Sequence, residues 1–138
     1  MRYYKIYKYI LEIELCCDSQ SDEDRYDIIN KYYATYKTNK FKIRNIENMI
    51  TNDNLDKIYS YKIGDVVNKN IIYFLNKECA FFYIDYEYFE GTYNMIDKLY
   101  YINFFREHNI IYSGMHKSWY TNGILKEQFF HIDGDIII

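Results

Sequence analysis

The residues of this chain that could do chemistry are few and poorly grouped. Its histidines are His108, His116 and His131. A hairpin over 114–134 would put His116 and His131 on one face, a diagonal step apart, with Glu127 the nearest further ligand. A metal site needs a fuller set than that, so the expectation is surface or sheet-lining histidines and no metal. Asp85 and Glu87 could support acid–base work, but no nucleophile accompanies them, and the solvated side of a helix accounts for them. Asp22, Glu23 and Asp24 would suit a cation, or more simply the first turn of a helix, where carboxylates meet the positive end of the dipole. Cys16, Cys17 and Cys79 give no disulfide framework, because neighbours on a strand point to opposite faces; free, mostly buried thiols in a reducing compartment are expected. The five glycines are isolated, so no phosphate-cradling loop is present, and neither H-E-x-x-H, paired C-x-x-C nor G-x-S-x-G occurs. The residues therefore point to a chain that is not an enzyme and holds no cofactor.

The most informative stretch is Gly114 to Gly134, G-M-H-K-S-W-Y-T-N-G-I-L-K-E-Q-F-F-H-I-D-G. Asn122-Gly123 is a strong hairpin signal, since a type I′ turn needs φ > 0 at both central residues. That turn predicts a register: Thr121 opposite Ile124, Tyr120 opposite Leu125, Trp119 opposite Lys126, Ser118 opposite Glu127, His116 opposite Phe129. One face would carry His116, Ser118, Tyr120, Leu125, Glu127 and Phe129; the other would carry Lys117, Trp119, Thr121, Ile124, Lys126 and Gln128. An isolated hairpin is marginal, so it must lean on something upstream. Trp119 and Tyr120, flanked by Lys117 and Lys126, are the candidate partner-binding residues, because Trp and Tyr combine contact area with a polar handle. Packing against the body is their alternative use. Asp133-Gly134 marks a second turn. Ile136, Ile137 and Ile138 form an apolar stub that either folds back onto the core or offers an edge to another chain.

The same stretch, with Gly114, Lys117, Trp119, Tyr120, Asn122, Gly123, Leu125 and Glu127 in place, resembles one unit of the MORN repeat type. The resemblance implies successive β-hairpins in a single-layer sheet. Residues 91–113 would be a degenerate earlier unit, Gly91 standing about one repeat before Gly114, or simply two further strands.

Composition bounds the rest. At 138 residues with 49% apolar content and a formal charge of −3, the chain is one domain by size, or a small domain with an appendage, and lacks the basic excess of a generic nucleic-acid binder. Ile, Asn, Lys and Tyr make up about half of it, with nineteen Tyr and no Pro. Codon bias toward A and T accounts for much of that, so most tyrosines are expected in sheets and core. No apolar run is long enough for a membrane span, no signal-peptide pattern opens the chain, and no basic amphipathic helix suggests a membrane surface. An intracellular place is the expectation.

Along the chain, the alternation of Tyr9, Leu11, Ile13 and Leu15 predicts a strand over 1–17, with an interruption. Ser21, followed by the acidic trio, predicts a helix capped there and running to about Tyr36, burying Ile29, Tyr32, Tyr33 and Tyr36. Strands are predicted over 41–47, over 58–67 with a turn or bulge at Gly64-Asp65, and over 71–75. Asn76 should cap a helix reaching about Phe89, with Ala80, Phe81, Ile84 and Tyr88 as its buried stripe. The run K-Y-Y-A-T-Y-K-T-N-K-F-K-I-R-N-I-E-N, then Tyr61, Lys62, Ile63, Gly64 and Val67, then Tyr73, Phe74 and Leu75, then Lys77, Glu78, Ala80 and Tyr83 is similar to an uncharacterised domain family of giant-virus (mimivirus-like) proteins. MORN-like units commonly follow that domain, and the resemblance implies a place in the host cytoplasm or the virion. Asn68-Lys69-Asn70 is shorter than the family's usual connection, which puts any function of that connection in doubt.

These readings combine into an α+β fold: a small mixed body with an antiparallel sheet over 1–90, then a MORN-like hairpin region over 91–138. The expected function is a non-catalytic protein–protein interaction module, or a structural protein that self-assembles through its C-terminal edge into a homo-oligomer. The expected partner is a protein, not nucleic acid or membrane.

Overall fold

The N-terminal alternation folds back on itself. In the computed structural model, which describes residues 1–6, 8–49, 51–83, 114–132 and 135–137, strands β1 (Arg2–Ile6) and β2 (Tyr9–Leu15) pair as an antiparallel hairpin. β2 pairs with β3 (Thr35–Asn48), β3 with β6 (Val66–Phe74), and β6 returns to β1 through Tyr3 opposite Phe74. These four strands close a barrel in the order β1-β2-β3-β6. Leu11, Ile13, Tyr36, Phe41, Ile43, Ile46, Ile71 and Tyr73 fill it, with Tyr4, Tyr9 and Leu15 packed against them. Tyr4 meets Phe41 edge to face at 5.6 Å, a geometry that suits the ring quadrupoles.

β3 serves two neighbours, β6 through its first half and β2 through its second, and it bends to do so. Arg44 is an extra residue between the pairs Ile13–Ile43 and Glu12–Asn45. On the other side, Lys69 and Asn70 of β6 together oppose Asn39. Each bulge kinks and twists its strand, and each shifts the inward phase by one residue. Strict alternation over 41–47 thus fails after Ile43: Ile46 is buried, not Asn45.

The expected strand over 58–67 is instead a tight hairpin, β4 (Lys57–Ile58) with β5 (Tyr61–Lys62), followed by a turn in which Gly64 takes φ +94 before β6 begins. Tyr59, at the hairpin tip, holds φ 49, a conformation that costs a non-glycine residue of order 1 kcal/mol or more.

The α+β expectation is overturned. The described residues are mostly antiparallel sheet, and their one helix, α1 (Lys77–Phe82), has six residues. Asn76 does cap it, its side chain accepting from the Glu78 N–H at 2.8 Å. Tyr83 leaves the helix in extended backbone, so it stops well before Phe89; Ile84, Asp85, Glu87 and Tyr88 lie outside the described residues. Ala80 is buried and Phe81 half-buried. Cys79, buried beside Ala80 and Phe74, has its thiol pushed up to about 12 by burial, chiefly, and so stays protonated.

No helix forms over 21–36. Residues 16–34 make a strap along β3, bridged at Ser21–Thr38. Its polar side chains serve its own backbone: Ser21 accepts from Glu23 N–H and Asn30 from Tyr32 N–H. That local bonding competes with a helix ladder. Tyr26, Ile29 and Tyr32 are exposed, whereas Tyr36 belongs to β3 and the core. The remaining described strands, β7 (Gly114–Trp119), β8 (Leu125–Ile132) and β9 (Asp135–Ile137), form a separate antiparallel sheet in that order. Among the described residues no helix is long and apolar enough to cross a membrane.

Candidate interaction surface

The β7–β8 turn docks on the strap through main chain. The Asn122 carbonyl accepts from the Ile29 and Asn30 N–H groups at 2.9 and 3.0 Å. The Thr121 carbonyl accepts from Thr35 N–H at 3.0 Å and from the Arg25 guanidinium at 2.6 Å. Arg25 is held there by Asp27 at 2.9 Å and Asp22 at 3.3 Å, and its guanidinium lies 5.3 Å from the Tyr36 ring centre. The turn itself is not type I′. Only Gly123 takes positive φ, at +95, while Tyr120 and Ile124 close the loop with Gly123 N–H to Tyr120 O and Tyr120 N–H to Ile124 O. This is a three-residue loop, Thr121-Asn122-Gly123, with glycine in the left-handed position. Asn122 uses its side chain to accept from Ile124 N–H at 3.1 Å.

The longer loop moves the register near the tip. His116–Phe129 and Ser118–Glu127 pair as expected, but Trp119 pairs with Leu125 and Tyr120 faces Ile124, leaving Lys126 as a bulge. The expected pairs Thr121–Ile124, Tyr120–Leu125 and Trp119–Lys126 are thereby corrected, and with them the division of the tip into two faces. Trp119 turns to the body and stacks on Tyr33, ring centres 5.3 Å apart at 20°, beside Phe74, Cys79 and Ala80. Lys117 pairs with Glu78 of α1 at 3.2 Å. Lys126 is half-buried, and burial lowers its amine's pKa. Of the residues expected to meet a partner, Trp119 and Lys117 thus fix the hairpin to the body. Tyr120 remains exposed, and Ile124 and Leu125 join it; Ile29, Tyr32 and Tyr26 of the strap are exposed as well. Tyr32 meets Tyr33 edge to face at 5.4 Å, so the exposed groups of strap and hairpin are linked through the Tyr33–Trp119 stack. The sequence reading missed the strap's share because it placed Ile29 and Tyr32 on a buried helix face. Ile136 and Ile137 lie in β9, opposite His131 and Phe130; Ile138, Asp133 and Gly134 fall outside the described residues, as does the unit expected over 91–113.

The acidic trio has a different use from the one expected. Glu23 takes a two-pronged contact from Arg2 at 2.7 and 3.2 Å and a hydrogen bond from the Tyr73 hydroxyl at 2.7 Å. Tyr73 also meets Ser21 Oγ at 2.5 Å. Burial works to raise the Glu23 carboxyl, but the bonds from Arg2 and Tyr73 outweigh it and hold the group below its ordinary value. Burial, above all, pushes the Tyr73 hydroxyl well above its ordinary range, so it remains a proton donor. Asp22 accepts from Lys37 N–H at 2.8 Å. This network ties the strap to β1, β3 and β6. Among the described residues no group of three metal-ligating side chains comes together; His108 lies outside them.

A second surface gathers at the β4–β5 end of the barrel. Tyr59 meets Tyr9 edge to face at 6.0 Å, Lys8 lies 5.7 Å from the Tyr9 ring centre, Lys57 is the cross-strand partner of Lys62, and Lys69 Nζ is 3.5 Å from the Tyr61 hydroxyl. Lys69 also borders an open groove of about 780 Å³ that includes Lys37, Asn39, Asn70, Gln20 and Tyr83 in its lining. The spacing K-I-Y-S-Y-K over 57–62 was the available signal, hidden by reading 58–67 as one strand. Comparison with family models, curated proteins and solved structures finds no match to this chain.

Proposed function

We propose that this chain is a non-catalytic protein–protein interaction module that presents its β7–β8 hairpin, together with the strap, to a partner protein inside the cell or virion. The observation that carries the reading is the set of apolar side chains left in solvent around a rigid dock: Tyr120, Ile124 and Leu125 on the hairpin, Ile29 and Tyr32 on the strap. Clustered exposed apolar groups mark interaction sites. Main-chain bonds and the Tyr33–Trp119 stack already order these elements, so a partner need not supply the entropy of ordering them. Trp119 acts as the support of the surface, and Tyr120 as its leading contact.

The test is affinity capture in the native cell type, comparing the wild type with Tyr120→Ala combined with Ile124→Ser. Both positions are exposed, so the variant should keep the melting temperature. A specific protein retained by the wild type and lost by the variant is expected. Identical captures from the two would refute the reading.

A second reading is self-assembly through β9. It is favoured by the position of β9 at the margin of the three-stranded sheet, paired on one side with β8 among the described residues.

A further inference from the structure

Six of the described cations of this chain are matched by carboxylates. Arg2, Arg25, Lys40, Arg44, Lys77 and Lys117 each meet a carboxylate within 4 Å. Among the described residues Lys8, Lys57, Lys62 and Lys69 meet none, as do Lys31, Lys37 and Lys42, but the first four are joined by ring contacts around β4 and β5. Lys57 and Lys62 are directly opposite each other across β4 and β5, an arrangement of like charges that weakens a strand pair. Asp56 and Asp65 flank them, but the Asp65 carboxylate is turned to the Lys62 backbone N–H at 3.2 Å. Rings are interleaved with these amines. Lys8 sits by Tyr9, Tyr9 meets Tyr59, Tyr59 lies between Lys57 and Lys62 in sequence, and Tyr61 meets Lys69. Tyr59 is 65% exposed and held at φ 49. An aromatic residue kept in solvent on strained backbone is arranged for contact.

We propose that this end of the barrel binds single-stranded nucleic acid, with Lys8, Lys57, Lys62 and Lys69 on phosphates and Tyr59 stacking on a base. Amines alternating with flat rings match a chain in which anionic phosphates alternate with flat bases, and such contacts are tolerant of sequence. From Lys69 the strand continues toward the groove that Lys37, Asn39 and Asn70 line. The whole-chain charge of −3 does not oppose this, because phosphate binding depends on where cations are concentrated. This surface is separate from the hairpin surface proposed above and does not depend on it.

The experiment is fluorescence anisotropy with the full chain and a labelled oligothymidine of about twelve nucleotides. The wild type should bind, and the affinity should fall with salt. Lys57→Gln with Lys62→Gln should reduce the steepness of the log–log salt dependence by about 1.4, the value for two lost single-strand phosphate contacts. Tyr59→Asn should weaken binding about tenfold without lowering the melting temperature, because asparagine holds positive φ more easily than tyrosine does. That variant separates binding from folding. The proposal is overturned if the wild type shows no anisotropy change at low salt, if Tyr59→Asn binds as tightly as wild type, or if phosphatidylserine vesicles bind while the oligonucleotide does not.

Discussion

Gly123 is where residue chemistry decides most about this molecule. It combines φ +95 with a close approach: a Cβ built there would stand 2.1 Å from the Asn30 carbonyl oxygen. Gly64 has nearly the same φ, +94, but open space around the position. The two therefore separate backbone strain from docking. Gly64→Ala should lower stability by about 1–2 kcal/mol, the cost of the left-handed conformation alone. Gly123→Ala should lower it by clearly more, about 3 kcal/mol, since the turn must also lift from the strap. Urea denaturation of both variants checks this; equal losses would mean that the dock contributes nothing. Local chemistry of this kind was the most readable part of the sequence. The Asn76 cap and the site of the N-G turn follow from neighbours a few residues away. The turn type did not follow: the loop's Thr121 and Asn122 carbonyls are held by the strap, and the strap was unknown.

At the scale of elements, the strap was the feature least open to reading. Ser21 followed by three acids, with tyrosines at helical spacing, is a sound local helix signal. It loses here because the partners are distant. Glu23 serves Arg2 and Tyr73, and Asp22 serves Lys37 and Arg25. This element also sets a pH dependence. The Glu23 carboxyl titrates below its ordinary value in the folded chain. Its contribution is therefore complete above the unfolded carboxylate range, about pH 4.3, and is lost as pH falls through the lower folded value. Glu23→Gln should be less stable than the wild type at neutral pH, and the gap should narrow as the pH falls below about 4.3. Thermal melts across that range measure it; a constant gap would show that the Arg2 contact does not depend on the charge. The bulges belong to the same scale. Burial of Ile46 in place of Asn45 follows from one extra residue, Arg44, which the strand pattern does not announce.

For the whole molecule, the class of the fold was not legible in the sequence. A barrel closed by four strands depends on long-range pairings such as Tyr3 with Phe74, whereas the helical periods that suggested α+β are local. The remaining prediction is at this scale. Deleting Ile136 to Ile138 should leave the melting temperature almost unchanged and, if β9 pairs chains together, convert an oligomer to a monomer. Light scattering on both forms is the measurement. A wild type that is already monomeric would remove the self-assembly reading.

The dock of the hairpin on the strap has one more consequence. Its tip is held by the carbonyls of Thr121 and Asn122, groups that every residue carries. The side chains of Tyr120, Thr121 and Ile124 can therefore be exchanged while the anchorage stays in place, provided Gly123 is kept. The exposed side chains at the tip can thus vary independently of the scaffold beneath them, and they offer a small library site that can be rewritten without redesigning the fold.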